Sequence, residues 1–313
     1  PLLDARLDED AASSWANPPG LLVFHPRTFT APRENAGPVA KRYPEMDWAL
    51  LANGQPEPGL CLTLRGGSTS VGHSHLDLLS FHCVVGDEPL LANVPVREYL
   101  DTTFSPRRND LWEIRPDAKN TLLINGVGVR PGSAVSMHDA ELDNIPGFVL
   151  EGAEAFGDMG DGPVAAVCNR AFLLLHPDHA LIVDRVRVPH YARVEARFHT
   201  AFACDITQTA ARIAGERNSL HLRFASSTDA RLHRAINPVT APALAEAEHM
   251  LRWCTDERCH HTWFATLLSR VETSEPVFKD VSERAATLKV EAGGRAWALR
   301  FDEAMRQISL DAR

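Results

Sequence analysis

The sequence predicts an all-β protein built as one large antiparallel β-sandwich, or supersandwich. Short apolar runs follow one another from residue 21 to the end of the 313-residue chain, and turn-forming dipeptides such as Asn53-Gly54 and Asn125-Gly126 separate them. The 21 prolines and 19 glycines favour many turns. Because the periodicity of amphipathic helices is scarce, strands rather than helices are expected to form the core.

Sixteen strands are predicted along the chain. Polar and apolar residues alternate most clearly in residues 220–224 and 288–291, as expected for strands with one face in a core. The predicted strands are residues 21–25, 48–51, 60–64, 76–85, 89–94, 121–124, 148–156, 165–176, 180–188, 192–202, 219–224, 250–253, 263–269, 288–291, 296–301 and 306–310.

Two short helices complete the prediction. Residues 1–18 favour a helix, which a Pro-Pro-Gly run at 18–20 then breaks, and residues 242–248 are rich in alanine. The first helix is interpreted as the end of a helical domain removed from this chain. Pro1 is not a natural start, so the chain is expected either to have been processed or to be part of something longer. With no internal repeat and no linker, residues 1–313 are interpreted as a single domain.

Composition and charge exclude several classes of function. The formal net charge is −9 and there is no basic tract, which argues against a general nucleic-acid binder. No window approaches the roughly 18 consecutive apolar residues of a membrane span. An anionic ligand would therefore have to be held by local arginines and lysines rather than by the overall field of the protein.

The six cysteines lack the CxxC spacing of metal sites. Cys61, Cys83 and Cys168 lie in apolar runs and are interpreted as small buried hydrophobic residues. Cys254 and Cys259 precede two histidines, which leaves zinc as an alternative to an ordinary strand at that place.

A polar motif stands out in residues 64–81. It places His73, His75 and Asp77 at positions i, i+2 and i+4 after a glycine-rich run that lets backbone or substrate approach closely. If residues 76–85 form a strand, as their apolar content indicates, the period of two puts all three side chains on one face. The spacing is compatible with metal binding, acid/base chemistry or a structural role.

Residues 48–131 resemble the carboxy-terminal half of the heparinase II/III-like polysaccharide lyases, which include alginate and heparan-sulfate lyases. The resemblance is carried by residues 65–67, 72–81, 89–93, Tyr99 and 119–126. It implies an α/α toroid joined to an antiparallel β-sandwich, and cleavage of uronic-acid-containing polysaccharides by β-elimination. This chain would be the sandwich half, with the toroid upstream as its partner.

The same resemblance assigns catalytic residues. The first histidine of the family's His-x-His pair faces the cleft and corresponds to His73, and Tyr99 matches an aromatic residue near the cleft, with packing as its alternative role. The family's other base or acid, a tyrosine with an asparagine or histidine, comes largely from the toroid. We therefore expect the chain by itself to be inactive.

The family's structural zinc site is altered in this sequence. Its second histidine corresponds to His75, but the aspartate position is Asn93 and the later histidine position is Lys119. A neutral amide is a weak zinc ligand and an ammonium cannot be one, so no cofactor is expected. We predict that the Lys119 ammonium takes the place of the metal beside His75 and Asn93; the alternative is that Lys119 points to solvent.

Three arginines are candidates for binding the carboxylates or sulfates of a substrate. Arg107 and Arg108 lie in a polar segment, residues 104–119, and Arg65 belongs to the segment that carries the resemblance. Acidic residues share the polar segment, so a solvated, self-paired loop is the alternative for Arg107 and Arg108.

These observations predict part of a lyase that acts on an acidic polysaccharide or oligosaccharide. One rival is a β-sandwich that binds sugar without chemistry. Another is a metallo-hydrolase with His73, His75 and Asp77 as ligands. An upstream toroid would favour the lyase, and its absence from the gene would favour the binding module. The sequence leaves the compartment open, with the bacterial periplasm or secretion favoured over the cytoplasm.

Overall fold

The computed structural model describes residues 37–310 except 56, 97, 141, 143, 144, 159, 161 and 239–248. The predicted helices at 1–18 and 242–248 and the predicted strand at 21–25 lie outside these residues. In the described part the chain is all-β, as predicted, and its longest helix is the four-residue 3₁₀ turn Ala153–Phe156. No described helix has the length and apolar character needed to cross a membrane.

Twenty-two strands are present among the described residues. They are β1 (Val39–Tyr43), β2 (Trp48–Ala52), β3 (Leu60–Arg65), β4 (Gly67–Ser68), β5 (Ser80–Val85), β6 (Glu88–Leu91), β7 (Leu122–Ile124), β8 (Ala134–Asp139), β9 (Gly147–Glu151), β10 (Val167–His176), β11 (His179–Ala192), β12 (Val194–Thr200), β13 (Ala203–Ile206), β14 (Ala210–Ala214), β15 (Ser219–Ser226), β16 (Ala230–Ile236), β17 (His249–Thr255), β18 (Cys259–Ser269), β19 (Val277–Lys279), β20 (Ala286–Ala292), β21 (Arg295–Phe301) and β22 (Ile308–Leu310). The remaining 3₁₀ turns are Arg108–Asp110, Trp112–Ile114 and Pro116–Ala118.

The strands form four antiparallel sheets. The first sheet has the order β1-β2-β3-β5-β6, and the second has nine strands in the order β13-β14-β15-β18-β11-β10-β9-β8-β4. The third sheet is β16-β17-β12-β7, and the fourth is β19-β20-β21-β22. Every strand pair in these sheets is antiparallel, and consecutive pairs such as β10–β11 and β20–β21 are joined by short turns.

The second sheet lies in the middle of the sandwich and is apolar on both faces. On β10, Phe172 and Leu174 face a large core shared with the first and third sheets. Leu173 and Leu175 face a smaller core shared with the fourth sheet. Apolar residues on both faces explain why β10 and β11 appear in the sequence as nearly continuous apolar runs.

In two of the predicted strands a turn replaces part of the strand. The predicted strand 76–85 begins only at Ser80, because residues 78–79 form a buried turn. The predicted strand 148–156 ends at Glu151, and the 3₁₀ turn Ala153–Phe156 follows it. The consequence for the polar motif is direct, since His73, His75 and Asp77 lie in a loop and not on a strand.

Two long connections meet at one edge of the sandwich. The segment from β3 to β5, residues 66–79, is called the histidine loop here, and the segment from β6 to β7, residues 92–121, is called the covering loop. The histidine loop contributes β4, which pairs with β8 and so links the first sheet to the second. This pairing fixes the loop at the junction of two sheets.

Candidate functional site

The covering loop holds the histidine loop by backbone hydrogen bonds and by one arginine. The Leu76 amide donates to the Ile114 carbonyl at 2.9 Å. Arg108 donates through one guanidinium nitrogen to the carbonyls of His73 and Ser74, both at 3.1 Å, and through another to Thr103 at 3.0 Å. Because its donors are used on backbone oxygens, Arg108 positions the histidine loop, a role that the sequence did not reveal.

Sterics explain why two glycines stand at the start of the histidine loop. A Cβ atom on Gly66 would lie 2.7 Å from the Asp47 carbonyl oxygen, and one on Gly67 would lie 2.3 Å from the Met46 oxygen. Gly67 also has a φ of +74°, which a side chain would strain. The sequence predicts a close approach at these glycines, and in the structure it is the backbone of the β1–β2 turn that approaches them.

The expectation that His73, His75 and Asp77 share one face is wrong. His73 is exposed, in the left-handed conformation at φ +60°, while the side chain of His75 points to Lys119. The Asp77 carboxylate lies 3.5 Å from Arg65 Nε. Among the described residues no group of three or more His, Cys, Asp or Glu side chains is placed to hold a metal ion, and this includes Cys254 and Cys259.

His73 contacts the exposed ring of Phe104 on the covering loop, and Phe104 in turn contacts the exposed ring of Tyr99. The rings of His73 and Phe104 meet edge to face with centroids 5.4 Å apart, and the Phe104 ring lies 5.5 Å from that of Tyr99. Tyr99 is 73% exposed and Phe104 66%. Large aromatic side chains held in the open beside a histidine suit the stacking of a sugar ring next to an acid/base group. The sequence interpretation included Tyr99 but missed Phe104.

The other two predicted arginines, Arg107 and Arg65, differ in how many contacts they make within the chain. Arg107 is exposed and pairs with Asp110 at 3.1 Å, which matches the self-paired alternative. Arg65 donates to the carbonyls of Gly66 and Ser68 and lies 5.3 Å from the Trp48 ring centroid. Because Arg65 also lies close to the Asp77 carboxylate, most of its polar contacts are made to the histidine loop.

Lys119 is buried at the base of the site, with 1% of its surface exposed. Its Nζ lies 3.1 Å from His75 Nδ1 and donates to the carbonyls of Glu113 and Val94. Burial lowers the pKa of Lys119 to about 8, although Asp77 and Glu113 oppose the shift. Burial, followed by the nearby charges of Lys119 and Arg108, lowers the pKa of His75 to about 4. At neutral pH the pair is thus an ammonium beside a neutral imidazole.

These residues do not fit a zinc ion. The Lys119 ammonium is directed at the Nδ1 of His75, and Asn93 is engaged elsewhere: it donates to Ser80 Oγ at 3.0 Å and accepts from the Asn120 amide at 2.8 Å. The predicted contact between Lys119 and His75 is present, whereas Asn93 has these other partners. The alternative of a solvent-facing Lys119 is wrong.

Polar residues beneath the site hold the turn before β5. The Asn120 side chain donates to the Phe81 carbonyl at 2.8 Å, and the Thr121 hydroxyl donates to Leu78 at 3.0 Å. Arg170, fully buried on β10, donates to the carbonyls of Leu79 and Asn120 at 2.9 and 3.0 Å. An arginine in an apolar strand was the signal in the sequence that could have revealed this support.

A buried carboxylate balances the positive charge of Arg170. The Arg170 guanidinium donates to both oxygens of Asp184 on β11, at 2.7 and 3.3 Å. Burial raises the pKa of Asp184, against the opposing charge and hydrogen bonds of Arg170. The ion pair fixes the orientation of the Arg170 guanidinium. The guanidinium in turn holds the carbonyls of Leu79 and Asn120 beneath the site.

Comparison with known proteins places this geometry in a family. The family model described as "Heparinase II/III-like, C-terminal" matches residues 35–275. No curated protein matches the chain in sequence.

Solved structures of lyases share the fold. The crystal structure of heparinase III superposes with a TM-score of 0.68 at 15% identity, covering 85% of this chain and 43% of its own. Heparan sulfate lyase HepC from Pedobacter heparinus superposes with a TM-score of 0.65 at 10% identity, covering 89% of this chain and 44% of its own. The chain thus spans less than half the length of these lyases.

Proposed function

Because the chain belongs to the heparinase II/III-like, C-terminal family, we propose that it is the β-sandwich portion of a lyase that cleaves an acidic polysaccharide by β-elimination. The observation that carries the proposal is the exposed His73 beside the open rings of Phe104 and Tyr99. These residues offer an acid/base group and a surface for a pyranose ring at one place.

The reaction needs three events at a uronate. A base takes the proton from C5, the C4–O bond breaks as the C4–C5 double bond forms, and the leaving oxygen receives a proton. In this chain an unprotonated His73 imidazole can accept or share the C5 proton, and the Tyr99 hydroxyl can donate to the leaving oxygen. The group that neutralises the substrate carboxylate would come from a domain upstream.

Within this chain, Arg108, Lys119 and His75 hold the loop that positions His73. Arg108 holds its carbonyl, and Lys119 together with His75 fills the space beneath the loop. Positioned catalytic groups of this kind supply several kcal/mol of a reaction barrier, which is why half of a site is not expected to work alone.

A sugar-binding module without chemistry is the second candidate, and the exposed rings of Tyr99 and Phe104 would serve it equally well. The metallo-hydrolase has no comparable support, since His75 and Asp77 are directed to Lys119 and Arg65.

The experiment compares the 313-residue chain with the longer protein that includes its upstream region. Both are incubated with a panel of uronate polysaccharides, sulfated and unsulfated, and the ultraviolet absorbance of the unsaturated product is followed. The lyase predicts signal from the longer protein only. Binding of the polymers without unsaturated product from either form would instead establish the binding module. Robust cleavage by the chain alone would show that the whole site lies in the sandwich.

A further inference from the structure

The outer face of the third sheet carries a groove of about 1160 Å³ that is rich in arginine. Six arginines and one histidine line it, against three carboxylates. The basic residues of this arginine groove are Arg193, Arg197, Arg231, His233, Arg234, Arg252 and Arg258, and the acidic ones are Glu195, Asp256 and Glu257. The chain has a formal net charge of −9, so an excess of positive charge on this face sets it apart from the protein as a whole.

The strand register brings basic residues side by side. Arg197 on β12 lies opposite Arg252 on β17, and Arg252 lies opposite His233 on β16. Like charges directly across a sheet destabilise it, so a row of this kind needs compensation. Glu195 contributes to it by accepting from Arg197 and, through both oxygens, from Arg252 at 2.8 and 2.6 Å.

Arg197 also lies 3.5 Å from the Asp117 carboxylate, which is shared with Arg115. Three guanidinium groups therefore share two carboxylates, and one positive charge remains in excess at the floor of the groove. Glu195 is 9% exposed and Arg197 8%, so this floor is a built and largely desolvated arrangement. Around it, Arg193 and Arg258 are exposed, and no hydrogen bond or ion pair engages either guanidinium among the described residues. These two arginines are placed to meet an anion that enters the groove.

The groove is connected to the covering loop. Arg197 donates to the Asp117 carbonyl at 2.8 Å, and the Asp117 carboxylate in turn pairs with Arg115 at 2.8 Å. Asp117 stands two residues before Lys119, the residue that contacts His75. A residue of the groove floor therefore contacts the same loop that carries Tyr99 and Phe104.

We propose that the arginine groove is a second binding site for a polysaccharide chain that bears sulfate or carboxylate groups. The site rests on the proposed function for the identity of its ligand, and it would hold sugars distant from the bond being cleaved. Planar guanidinium groups bind sulfate and carboxylate oxygens in pairs, which suits arginine rather than lysine for this task. The acidic excess of the rest of the chain disfavours a long nucleic-acid duplex, and His233 is the only ring lining the groove among the described residues.

The test uses the 313-residue chain and a fluorescently labelled heparan sulfate octasaccharide, with an unsulfated oligo-uronate as a second probe. The double variant Arg193→Glu, Arg258→Glu reverses two exposed charges of the groove. The matched control is Arg295→Glu, Arg300→Glu, which makes the same change of charge on exposed positions of β21 in the fourth sheet. Binding is measured by fluorescence anisotropy over a range of salt concentrations.

We expect the groove variant to bind the octasaccharide about tenfold more weakly and with a shallower dependence on salt, while the control keeps the affinity of the unchanged chain. A preference for one probe would tell whether sulfate or carboxylate is the recognised group. An equal loss in both variants, no loss in the groove variant, or tighter binding of duplex DNA than of either sugar would overturn the proposal. Because no turnover is involved, a longer protein that fails to cleave uronates would refute the proposed function and leave this binding result standing.

Discussion

Lys119 and His75 form a buried contact in which the ammonium nitrogen lies 3.1 Å from the imidazole Nδ1. An ammonium has only donors, so Nδ1 must accept and the proton of the neutral ring must lie on Nε2. The contact thus sets the tautomer of His75 and places a fixed positive charge beneath the loop that carries His73.

His73 is the first position at which the proposed chemistry can be tested. In the longer protein, His73→Ala is expected to lower the turnover of a uronate polymer by about 10²-fold or more, the usual contribution of a positioned acid/base group. The measurement is the rate of formation of the unsaturated product.

Two controls accompany this variant. His73→Asn tolerates the left-handed backbone at φ +60° and should fold as well as the unchanged protein while losing the same activity. His138→Ala alters a histidine on β8 and should leave turnover unchanged. A folded His73→Asn protein with normal turnover would remove His73 from the mechanism.

The rings of Phe104 and Tyr99 should contribute to binding, and the Tyr99 hydroxyl to catalysis. Phe104→Ala is expected to weaken oligosaccharide binding roughly tenfold, the order of magnitude of one good aromatic contact, whereas Phe104→Tyr retains it. Tyr99→Phe keeps the ring and should lower turnover with little change in affinity. If Tyr99→Phe cleaves at the normal rate, the role of Tyr99 is confined to stacking.

The Arg170–Asp184 pair should be essential for stability. Removing one partner leaves an uncompensated buried charge, so Asp184→Ala is expected to lower the free energy of unfolding by about 3–5 kcal/mol. Urea denaturation measures this directly. Arg107→Ala, which breaks an exposed pair with Asp110, is the comparison and should cost less than about 1 kcal/mol. Similar losses in the two variants would mean that the buried pair is not needed to hold the turn at Leu79.

The fold can be predicted where burial alternates or runs continuously along a strand, and is harder to predict where a strand is short or polar. Strands such as β15 and β20 alternate cleanly and were found. Strand β16, Ala230–Ile236, was missed because its sequence carries arginines and a histidine on an edge strand, largely open to solvent. Its partner β17 supplies the pairing that the local sequence does not indicate.

Several residues of the candidate site can be singled out from the sequence, but their arrangement cannot. The apolar character of Leu78 and Leu79 predicts a strand, yet these residues form a buried turn. Leu79 has a φ of +64°, and its amide donates to the Arg65 carbonyl. Periodicity reports burial and cannot distinguish a buried turn from a strand. Phe104 was missed because its closeness to His73 comes from the path of the covering loop.

The buried Lys119 should also make stability depend on pH in a defined window. Its pKa is about 8 in the folded chain and about 10.4 when unfolded, so between these values the unfolded state holds more protons. The free energy of unfolding should therefore rise with pH from about 8 to about 10, by up to roughly 3 kcal/mol from this group alone.

Lys119→Met removes the titration, and the contributions of titratable groups common to both proteins cancel in the difference between their free energies of unfolding. Urea denaturation of the two proteins at several pH values across this window gives that difference. Parallel curves would show that Lys119 is not held as a costly buried cation.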